Sequence, residues 1–364
     1  MPFVQTRGQQ FVLDGQPFYF AGSNTYYLTY SSSFMVDALM DAAQSLGLKV
    51  IRTWAFLDMG SLDGSMRSTT PPGPKGGVYF QYWDPTTAAP AYNDGATGLQ
   101  HLDYVINAAA QRGIKLIMPM VNNWPDFGGI DQYLAWYNLA NHNDFFTDPN
   151  AQQAYKNWVS HLLNRTNSLN GLKYMDDPSI LAWELINEPR CAGQGPSLLN
   201  WIAEMSAFVK QTDPNHLVAV GDEGFFNREL SGDWTYDGSQ GVDFEAFLSV
   251  PQIDFGTFHL YPDGFGTHAG FADYWINDHI AAASRANKPV IMEEYGLKDP
   301  TARDQQYGEW LDRIYAQSGA GDIVWMLADK QDNGSLYQGD EYTLYTTTMP
   351  ACIPAHAAQM SART

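Results

Sequence analysis

The sequence predicts a (β/α)8 barrel, an α/β fold in which eight parallel strands alternate with helices. Short, almost continuously apolar segments recur along the chain, and most of them follow a stretch with apolar residues at helical spacing. Strands that are apolar throughout are typical of parallel sheets covered on both faces. The absence of Gly-x-Gly-x-x-Gly after the first predicted strand disfavours an open, doubly wound sheet.

The predicted elements follow one another in a regular order. The strands are expected at 18–21, 50–54, 115–121, 180–185, 217–221, 255–259, 289–293 and 323–326. Helices are expected at 36–43, 102–109, 151–164, 198–209, 274–286 and 305–316. Gly47 and Gly113 follow the first two helices, where glycine commonly ends a helix.

A segment rich in Gly, Pro and Thr, 69–98, separates the second strand from the second helix. We expect it to be a long loop on the carboxyl-terminal rim of the barrel, where this fold carries its sites. The sequence contains no linker that would mark off a second domain. It therefore predicts one domain over residues 1–364.

Composition excludes some classes of partner. The 20 Lys and Arg against 40 Asp and Glu give a net charge of −20, which disfavours binding to nucleic acid. No run of about 18 apolar residues predicts a membrane span. The eight histidines lack metal-ligand spacing, so neither a metal nor a cofactor is expected. Cys191 and Cys352 either form one bridge or remain free.

The first candidate for chemistry is the string Trp183-Glu184-Leu185-Ile186-Asn187-Glu188-Pro189-Arg190, at the end of the fourth predicted strand. Polar side chains at this end of a barrel strand point into the mouth of the barrel. A partly desolvated carboxyl there has a raised pKa and donates a proton near neutral pH. Asn187 offers an amide that holds a sugar hydroxyl. Glu188 is thus a candidate general acid.

A second carboxyl comes from Ile291-Met292-Glu293-Glu294-Tyr295-Gly296, at the end of the seventh predicted strand. Glycoside hydrolysis needs two carboxyls across the scissile bond. A separation of about 5 Å gives retention through a covalent intermediate, whereas a wider gap admits water and gives inversion. The sequence does not measure this gap.

These motifs resemble those of glycoside hydrolase family 5. The resemblance implies that Glu188, which closes Asn-Glu-Pro, is the acid/base. It implies that Glu294 rather than Glu293 is the nucleophile, because Glu294 precedes an aromatic residue and a glycine. It also implies a retaining mechanism.

Further positions match the same family. Arg52, two residues before Trp54, would keep the nucleophile ionised, where the alternative is a surface arginine. His259 would line the cleavage subsite and Tyr261 would hydrogen-bond the nucleophile, where the alternative is that either lies in the core. Trp325 would form the aromatic platform beneath the sugar, although a Trp in an apolar strand is more often a core residue.

Within the family, several strings are similar to those of endo-β-1,4-mannanases. They are Tyr79-Phe80-Gln81-Tyr82-Trp83, Gly98-Leu99-Gln100-His101-Leu102-Asp103-Tyr104, Val121-Asn122-Asn123-Trp124, Asn187-Glu188-Pro189-Arg190-Cys191 and Gly221-Asp222-Glu223-Gly224-Phe225. The resemblance implies that Asn123, Trp124, Arg190 and Glu223 contact β-mannan or manno-oligosaccharides. Cys191 lacks the second cysteine that commonly follows a few residues later in such enzymes.

Two alternatives stay open at this point. A β-1,4-glucan endoglucanase of the same family would keep every catalytic residue. A non-catalytic carbohydrate-binding barrel would have lost at least one of Glu188, Glu294 and Arg52. The resemblance further predicts a secreted, extracellular monomer. The first residues, Met1-Pro2-Phe3-Val4, lack the features of a signal peptide, so the chain is expected to be the mature form.

Overall fold

The protein folds around a sheet of eight parallel strands. The structure, a computed structural model, describes residues 2–69, 75–228, 232–268 and 270–364. The strands are β1 (Phe20–Asn24), β2 (Val50–Arg52), β3 (Lys115–Pro119), β4 (Ile180–Glu184), β5 (Leu217–Ala219), β6 (Gly256–Leu260), β7 (Val290–Tyr295) and β8 (Gly321–Val324). Each predicted strand overlaps one of them.

The order of the strands is that of a nearly closed barrel. Neighbours follow as β5-β4-β3-β2-β1-β8-β7-β6, and every pair is parallel. Two backbone hydrogen bonds span the remaining gap between β5 and β6. The N–H of Asp254 donates to Val218 at 2.8 Å, and the N–H of His259 donates to Glu223 at 3.0 Å. The predicted (β/α)8 fold is confirmed.

Helices cover the outside of the barrel. They are α1 (Ser33–Ser45), α2 (Gln100–Arg112), α3 (Gly129–Tyr137), α4 (Pro149–Asn164), α5 (Gly195–Thr212), α6 (Phe244–Ser249), α7 (Pro262–Phe265), α8 (Phe271–Ala286), α9 (Arg303–Ala316) and α10 (Cys352–Ala362). Short 3-10 helices occupy Tyr26–Tyr30, Lys75–Gly77, His142–Phe146 and Tyr174–Asp176. The six predicted helices correspond to α1, α2, α4, α5, α8 and α9.

The helix ends follow local chemistry. The hydroxyl of Ser32 accepts a hydrogen bond from the N–H of Met35 and caps α1. Asp148 caps α4 in the same way, with Pro149 as the first helical residue. Gly113 ends α2 with φ 68°, a left-handed conformation that costs glycine little. The glycine stop expected from the sequence is therefore present.

The barrel interior is apolar at its amino-terminal end. The side chains packed there include Phe20, Val50, Ile117, Leu181 and Ile323. A small antiparallel sheet of residues 5–17 closes this end, with the ring of Phe11 packed 5.2 Å from that of Phe255. Polar side chains such as Asn24, Arg52, Glu184 and Glu294 lie toward the carboxyl-terminal ends of the strands.

The prediction of a long rim loop over 69–98 is partly wrong. Residues 70–74 lie outside the described residues, but Gln81–Asp84 and Ala89–Tyr92 form an antiparallel hairpin. Gln81–Asp84 also pairs with Asp58–Ser61 to make a three-stranded sheet. Gly, Pro and Thr around these short strands predicted a loop, and pairing with a distant segment overrode that local preference.

The structure also shows the state of the two cysteines and the character of the helices. Cys191 is buried, Cys352 is partly buried, and both are free thiols. Each helix within the described ranges is too short or too polar to cross a lipid bilayer.

Candidate active site

A cleft of about 710 Å³ opens at the carboxyl-terminal mouth of the barrel. Most of the predicted site residues line it, namely Trp54, Trp124, Asn187, Glu188, Arg190, Glu223, Tyr261, Glu294 and Trp325. Arg52 and His259 are fully buried but contact the carboxyls of that lining. The structure thus brings most of the predicted site residues together at one end of the barrel.

Glu188 and Glu294 face each other across the mouth of the barrel. One oxygen of Glu188, one of Glu294 and one ring nitrogen of His259 all lie within 4.8 Å of one another. Retaining glycosidases hold their carboxyls about 5–5.5 Å apart, and inverting enzymes hold theirs farther apart to admit a water molecule. This spacing suits direct attack by one carboxylate on the sugar carbon while the other acts as acid and base.

Tight backbone geometry positions Glu188 just beyond β4. Its φ is 51°, in the left-handed region, and its N–H donates to the carbonyl of Gly221 at 2.7 Å. Its carboxylate accepts a hydrogen bond from Trp124 Nε1 at 2.5 Å and shares another with His259 Nδ1 at 2.8 Å. Both carboxylate oxygens are therefore held in place.

A β-bulge decides the roles of the two adjacent glutamates on β7. The pairing of β6 with β7 skips Glu293, because Phe258 is opposite Met292 and His259 is opposite Glu294. Neighbouring residues of a regular strand face opposite sides, whereas a bulge lets both face the barrel interior. Glu294 lines the cleft, and Glu293 is fully buried beneath it. Glu294 is therefore open to the cleft, whereas Glu293 is not.

Arg52 is fully buried and connects the strands below the cleft. Its Nε donates to Glu184 Oε2 at 2.9 Å, and its NH1 donates to Glu294 Oε1 at 2.6 Å and to Asn24 at 3.2 Å. Its NH2 donates to Asn187 Oδ1 at 2.8 Å, which fixes that amide. The alternative of a surface arginine is excluded, and the predicted contact with Glu294 is present.

Tyr261 and Trp325 complete the surroundings of Glu294. The Tyr261 hydroxyl donates to Glu294 Oε2 at 2.7 Å. The Trp325 ring lies in the cleft lining, stacks against Tyr26 with ring centres 5.8 Å apart, and donates from Nε1 to Asp340 at 2.7 Å. Neither side chain belongs to the apolar core, and the Trp325 indole offers a surface for a sugar ring.

The pKa values of Glu188 and Glu294 shift in opposite directions, and that of Glu188 differs from the expectation. Burial raises the pKa of Glu188, but the hydrogen bond and charge of His259, with Trp124 and Arg190, outweigh burial and leave it below its ordinary value. Burial also raises the pKa of Glu294, and the charges of His259 and Arg52 oppose this only in part. The expected rise in the pKa of Glu188 from desolvation is therefore wrong for the free site.

His259 accounts for this difference. Burial lowers the pKa of its imidazole, but the charge of Glu294 and the hydrogen bonds to Glu188 and Glu293 raise it well above the ordinary value. The 2.8 Å hydrogen bond between His259 Nδ1 and Glu188 therefore joins the two side chains into one titrating pair.

Replacing His259 by Asn is expected to move the acidic limb of the activity profile to higher pH. Glu294 must be ionised to attack, so activity is lost as pH falls through its pKa. The His259 cation lowers that pKa, and removing the cation raises it further. We also expect kcat/KM to fall on the order of 10²-fold. The measurement is kcat/KM against pH, with His161→Asn on α4 as control, and a limb that stayed or moved to lower pH would contradict this account.

Asn123, like Arg52 and His259, lies outside the cleft lining. Its Oδ1 accepts the backbone N–H of Arg190 at 3.0 Å and hydrogen-bonds His142 Nε2 at 2.8 Å. It fixes the loop that follows Glu188. Its neighbour Asn122 lines the cleft instead and accepts a hydrogen bond from Asn187 at 3.0 Å.

Several cleft residues escaped the sequence analysis. They follow β1, β3, β5 and β8, and include Tyr26, Tyr30, Phe127, Trp234, Tyr337, Asp340 and Tyr342. The signal that was present is position, since each lies in a loop after a barrel strand and most are aromatic. The residues after β8 were missed because they lie far along the chain from the end of that strand, so their position gave no sign that they return to the cleft.

The site does not favour a resident metal ion. Glu188, His259 and Glu294 lie close enough together to bind one. However, the oxygens of Glu294 already accept from Arg52 and Tyr261, and those of Glu188 are engaged by Trp124 and His259. A metal cation beside the Arg52 guanidinium would also meet a like charge. The arrangement suits two carboxyls that act on a substrate directly.

Comparisons with known proteins agree with this geometry. The family described as "GH family 5 beta-mannosidase-like" matches residues 1–349. The mannan endo-1,4-beta-mannosidase F of Aspergillus fumigatus is 38% identical over 350 residues, which cover 95% of this chain and 75% of that protein. A probable mannan endo-1,4-beta-mannosidase C of Aspergillus terreus is 40% identical, with 94% of this chain and 87% of that protein covered.

Solved structures give the same result. The endo-1,4-beta-mannanase of Rhizomucor miehei is 41% identical, with a TM-score of 0.89 and coverage of 99% of this chain and all of that one. The endo-beta-1,4-mannanase of Thermotoga petrophila is 37% identical, with a TM-score of 0.82 and coverage of 96% and 78%. The barrel, the paired carboxyls and these similarities lead to one conclusion: the chain belongs to glycoside hydrolase family 5, among its β-mannosidase-like members.

Proposed function

We propose that this protein is a mannan endo-1,4-β-mannosidase that cleaves internal β-1,4-mannosidic bonds with retention of configuration. The observation that carries the mechanism is the close approach of Glu188 and Glu294, within 4.8 Å, inside an open cleft. The substrate is inferred from the family and from relatives named as mannanases, which the chain matches over most of their length.

The reaction follows from the positions of the side chains. Glu294 attacks the anomeric carbon, and Glu188 protonates the glycosidic oxygen, so the C–O bond breaks and the leaving chain departs as an alcohol. A covalent mannosyl–Glu294 ester remains. Glu188 then removes a proton from water, the water oxygen attacks the same carbon, and Glu294 is released as a carboxylate.

Arg52 and Tyr261 stabilise Glu294 in its ionised form before attack. Each donates to a different oxygen of that carboxylate, at 2.6 and 2.7 Å. Trp325 provides the platform beneath the reacting sugar, and Asn187, which Arg52 holds, binds a hydroxyl of the same sugar. Trp54 supports the platform, with ring centres 6.1 Å apart.

The cleft favours internal cleavage. Loops after β1 and β8 line it with Tyr26 and Tyr337, and loops after β4 and β6 line it with Arg190 and Phe265. These strands lie in different sectors of the barrel, so the cleft crosses the mouth and offers room for sugars on either side of the bond. We expect mannobiose and mannotriose as the main products.

A side-by-side assay of reducing sugar released from mannan, galactomannan, carboxymethylcellulose and xylan tests the substrate. We expect mannan and galactomannan to be cleaved and the other two to remain almost intact. Faster release from carboxymethylcellulose than from mannan would favour the β-1,4-glucanase alternative. Release of mannose alone from chain ends would contradict internal cleavage.

Arg190 is proposed to hold the leaving half of the chain. Its guanidinium lies in the cleft lining and packs 5.2 Å from the centre of the Trp124 ring. It also forms a two-point ion pair with Glu223, at 2.7 and 2.8 Å. This ion pair supports the alternative, in which Arg190 only stabilises the loop and does not bind sugar. The side chain is 24% exposed, which leaves donors available to a sugar.

Replacing Arg190 by Ala is expected to shift the position at which mannotetraose is cleaved and to weaken transfer to sugar acceptors. Losing one such hydrogen bond typically costs about 0.5–1.5 kcal/mol, so hydrolysis of long mannan should fall only modestly. Product analysis from mannotetraose measures both effects. An unchanged cleavage position and transfer ratio would leave only the bracing role.

Three wider features are part of the proposal. Residues 1–364 act as one catalytic domain. The protein works as a monomer, and it works outside the cell, because a polysaccharide is too large to enter one. Size-exclusion chromatography with light scattering tests the oligomeric state, and activity in culture medium against cell extract tests the location.

A further inference from the structure

Two glutamates lie side by side beneath the cleft and take no part in the reaction described above. Glu184 on β4 and Glu293 on β7 are both fully buried, and neither lines the cleft. Arg52 Nε donates to Glu184 Oε2 at 2.9 Å, and Arg52 NH2 lies 3.6 Å from Glu293 Oε2. The two carboxyls also lie within hydrogen-bonding reach of each other.

Their unsatisfied oxygens indicate a proton. Oε1 of Glu184 and Oε1 of Glu293 are buried and meet no N–H or O–H donor within the described part of the chain. Two ionised carboxylates repel each other and cannot hydrogen-bond, and buried acceptors without a donor are costly. One proton shared between the two side chains supplies a donor and removes one of the two like charges.

The charges around the pair require the same proton. The buried cluster contains four carboxyls and two cations, which are Glu184, Glu188, Glu293 and Glu294 with Arg52 and His259. With Arg52 and His259 both charged, four ionised carboxylates would leave the cluster with an excess of two negative charges. A proton on one of the carboxyls reduces this excess, which a low-dielectric interior favours.

The contacts decide which glutamate carries this proton. Among the described residues, Glu293 contacts both cations, with His259 Nε2 at 3.3 Å and Arg52 at 3.6 Å, whereas Glu184 contacts Arg52 alone. The negative charge is therefore more stable on Glu293. Asp222 also faces Glu293, and burial together with the charge of Glu293 raises the pKa of Asp222 to about 7.

We propose that Glu184 is a positioning residue that stays protonated at working pH and donates its proton to Glu293. Glu293 is thereby kept ionised between Arg52 and His259, and it holds His259 protonated next to Glu188. The link to catalysis rests on the proposed function, whereas the proton itself follows from the buried cluster alone.

Infrared spectroscopy detects this proton without any substrate. Glutamine copies a neutral glutamic acid, because its amide N–H replaces the acid O–H and its carbonyl still accepts from Arg52. At about pH 7, where ordinary glutamates are ionised, the Glu184→Gln minus wild-type spectrum should show the loss of one protonated-carboxyl band. Loss of a carboxylate band alone would overturn the proposal, whatever the activity on mannan.

The activity profile gives a second readout, with Glu293→Gln as the matched variant. Removing a negative charge favours the deprotonated forms of its neighbours, so Glu293→Gln should move both limbs of kcat/KM against pH to lower values. Glu184→Gln should leave both limbs at their wild-type positions, because it changes no charge. A shift in Glu184→Gln equal to that in Glu293→Gln would overturn the proposal.

Folding of the variant is decisive as well. Since glutamine is a close copy of the protonated acid, Glu184→Gln should melt near the wild-type temperature, whereas Glu184→Ala should melt lower because it leaves Arg52 Nε unpaired. A Glu184→Gln variant that melted as low as Glu184→Ala would overturn the proposal, since the amide would then not replace the protonated acid.

Discussion

Glu294→Gln is expected to abolish turnover while the protein still folds and binds manno-oligosaccharides. The amide cannot form the ester to the anomeric carbon, so the first step has no nucleophile. Loss of a nucleophile typically costs on the order of 10⁴–10⁶-fold in kcat. The measurement is kcat on mannan, with oligosaccharide binding followed by tryptophan fluorescence, because Trp325 and Trp124 lie in the cleft.

Glu293→Gln is the matched control for this prediction. It makes the same chemical change one residue away, on a side chain that is fully buried beneath the cleft. We expect it to lower kcat by only about 10–10²-fold, through its effect on the charges of Arg52 and His259. An inactive Glu293→Gln variant together with a Glu294→Gln variant that keeps most of its kcat would show that the nucleophile has been assigned to the wrong residue.

Glu188→Ala is expected to lower kcat on mannan by about 10²–10⁴-fold, because the leaving chain then departs without protonation. Substrates with good leaving groups need no such proton and should still form the mannosyl–enzyme. Added azide should then restore their turnover, since azide attacks that intermediate without help from a base. Rates with an aryl β-mannobioside, with and without azide, measure the rescue.

The configuration of the azide product gives this prediction its control. In Glu188→Ala azide attacks after Glu294, so two displacements give the β-mannosyl azide. In Glu294→Ala azide takes the place of the missing carboxylate, and a single displacement gives the α-product. An α-azide from Glu188→Ala, or no rescue at all, would contradict the role assigned to Glu188.

The fold was predictable because strand and helix signals are local. Buried strands such as Ile180–Glu184 are apolar throughout, and helices such as Gln100–Arg112 have one apolar face and end at glycine. What escaped detection depends on distant contacts. The helix Gly129–Tyr137 begins at two glycines, which predict a turn, and Cys352–Ala362 carries a proline in its first turns.

The proximity of the candidate residues was predictable, but their electrostatics were not. Motifs at strand ends predicted that Glu188, Glu294, Arg52 and Tyr261 lie close together, because parallel strands bring their carboxyl ends to one side of the barrel. The pKa of Glu188 was not predictable, since its direction depends on His259, which lies 71 positions away in the chain. The burial of Glu293 was not predictable either, because it follows from a bulge in the pairing of β6 with β7.

Covalent labelling tests the central claim most directly. A mannobiosyl fluoride with fluorine at C2 destabilises the oxocarbenium-like transition states, while its good leaving group still permits the first step, so the glycosyl-enzyme accumulates. Peptide mapping by mass spectrometry then locates the attached sugar. We predict one added mannobiosyl group per chain, attached to Glu294. A label on Glu293 or Glu188, or an active protein that inverts the anomeric centre and takes up no label, would contradict this account.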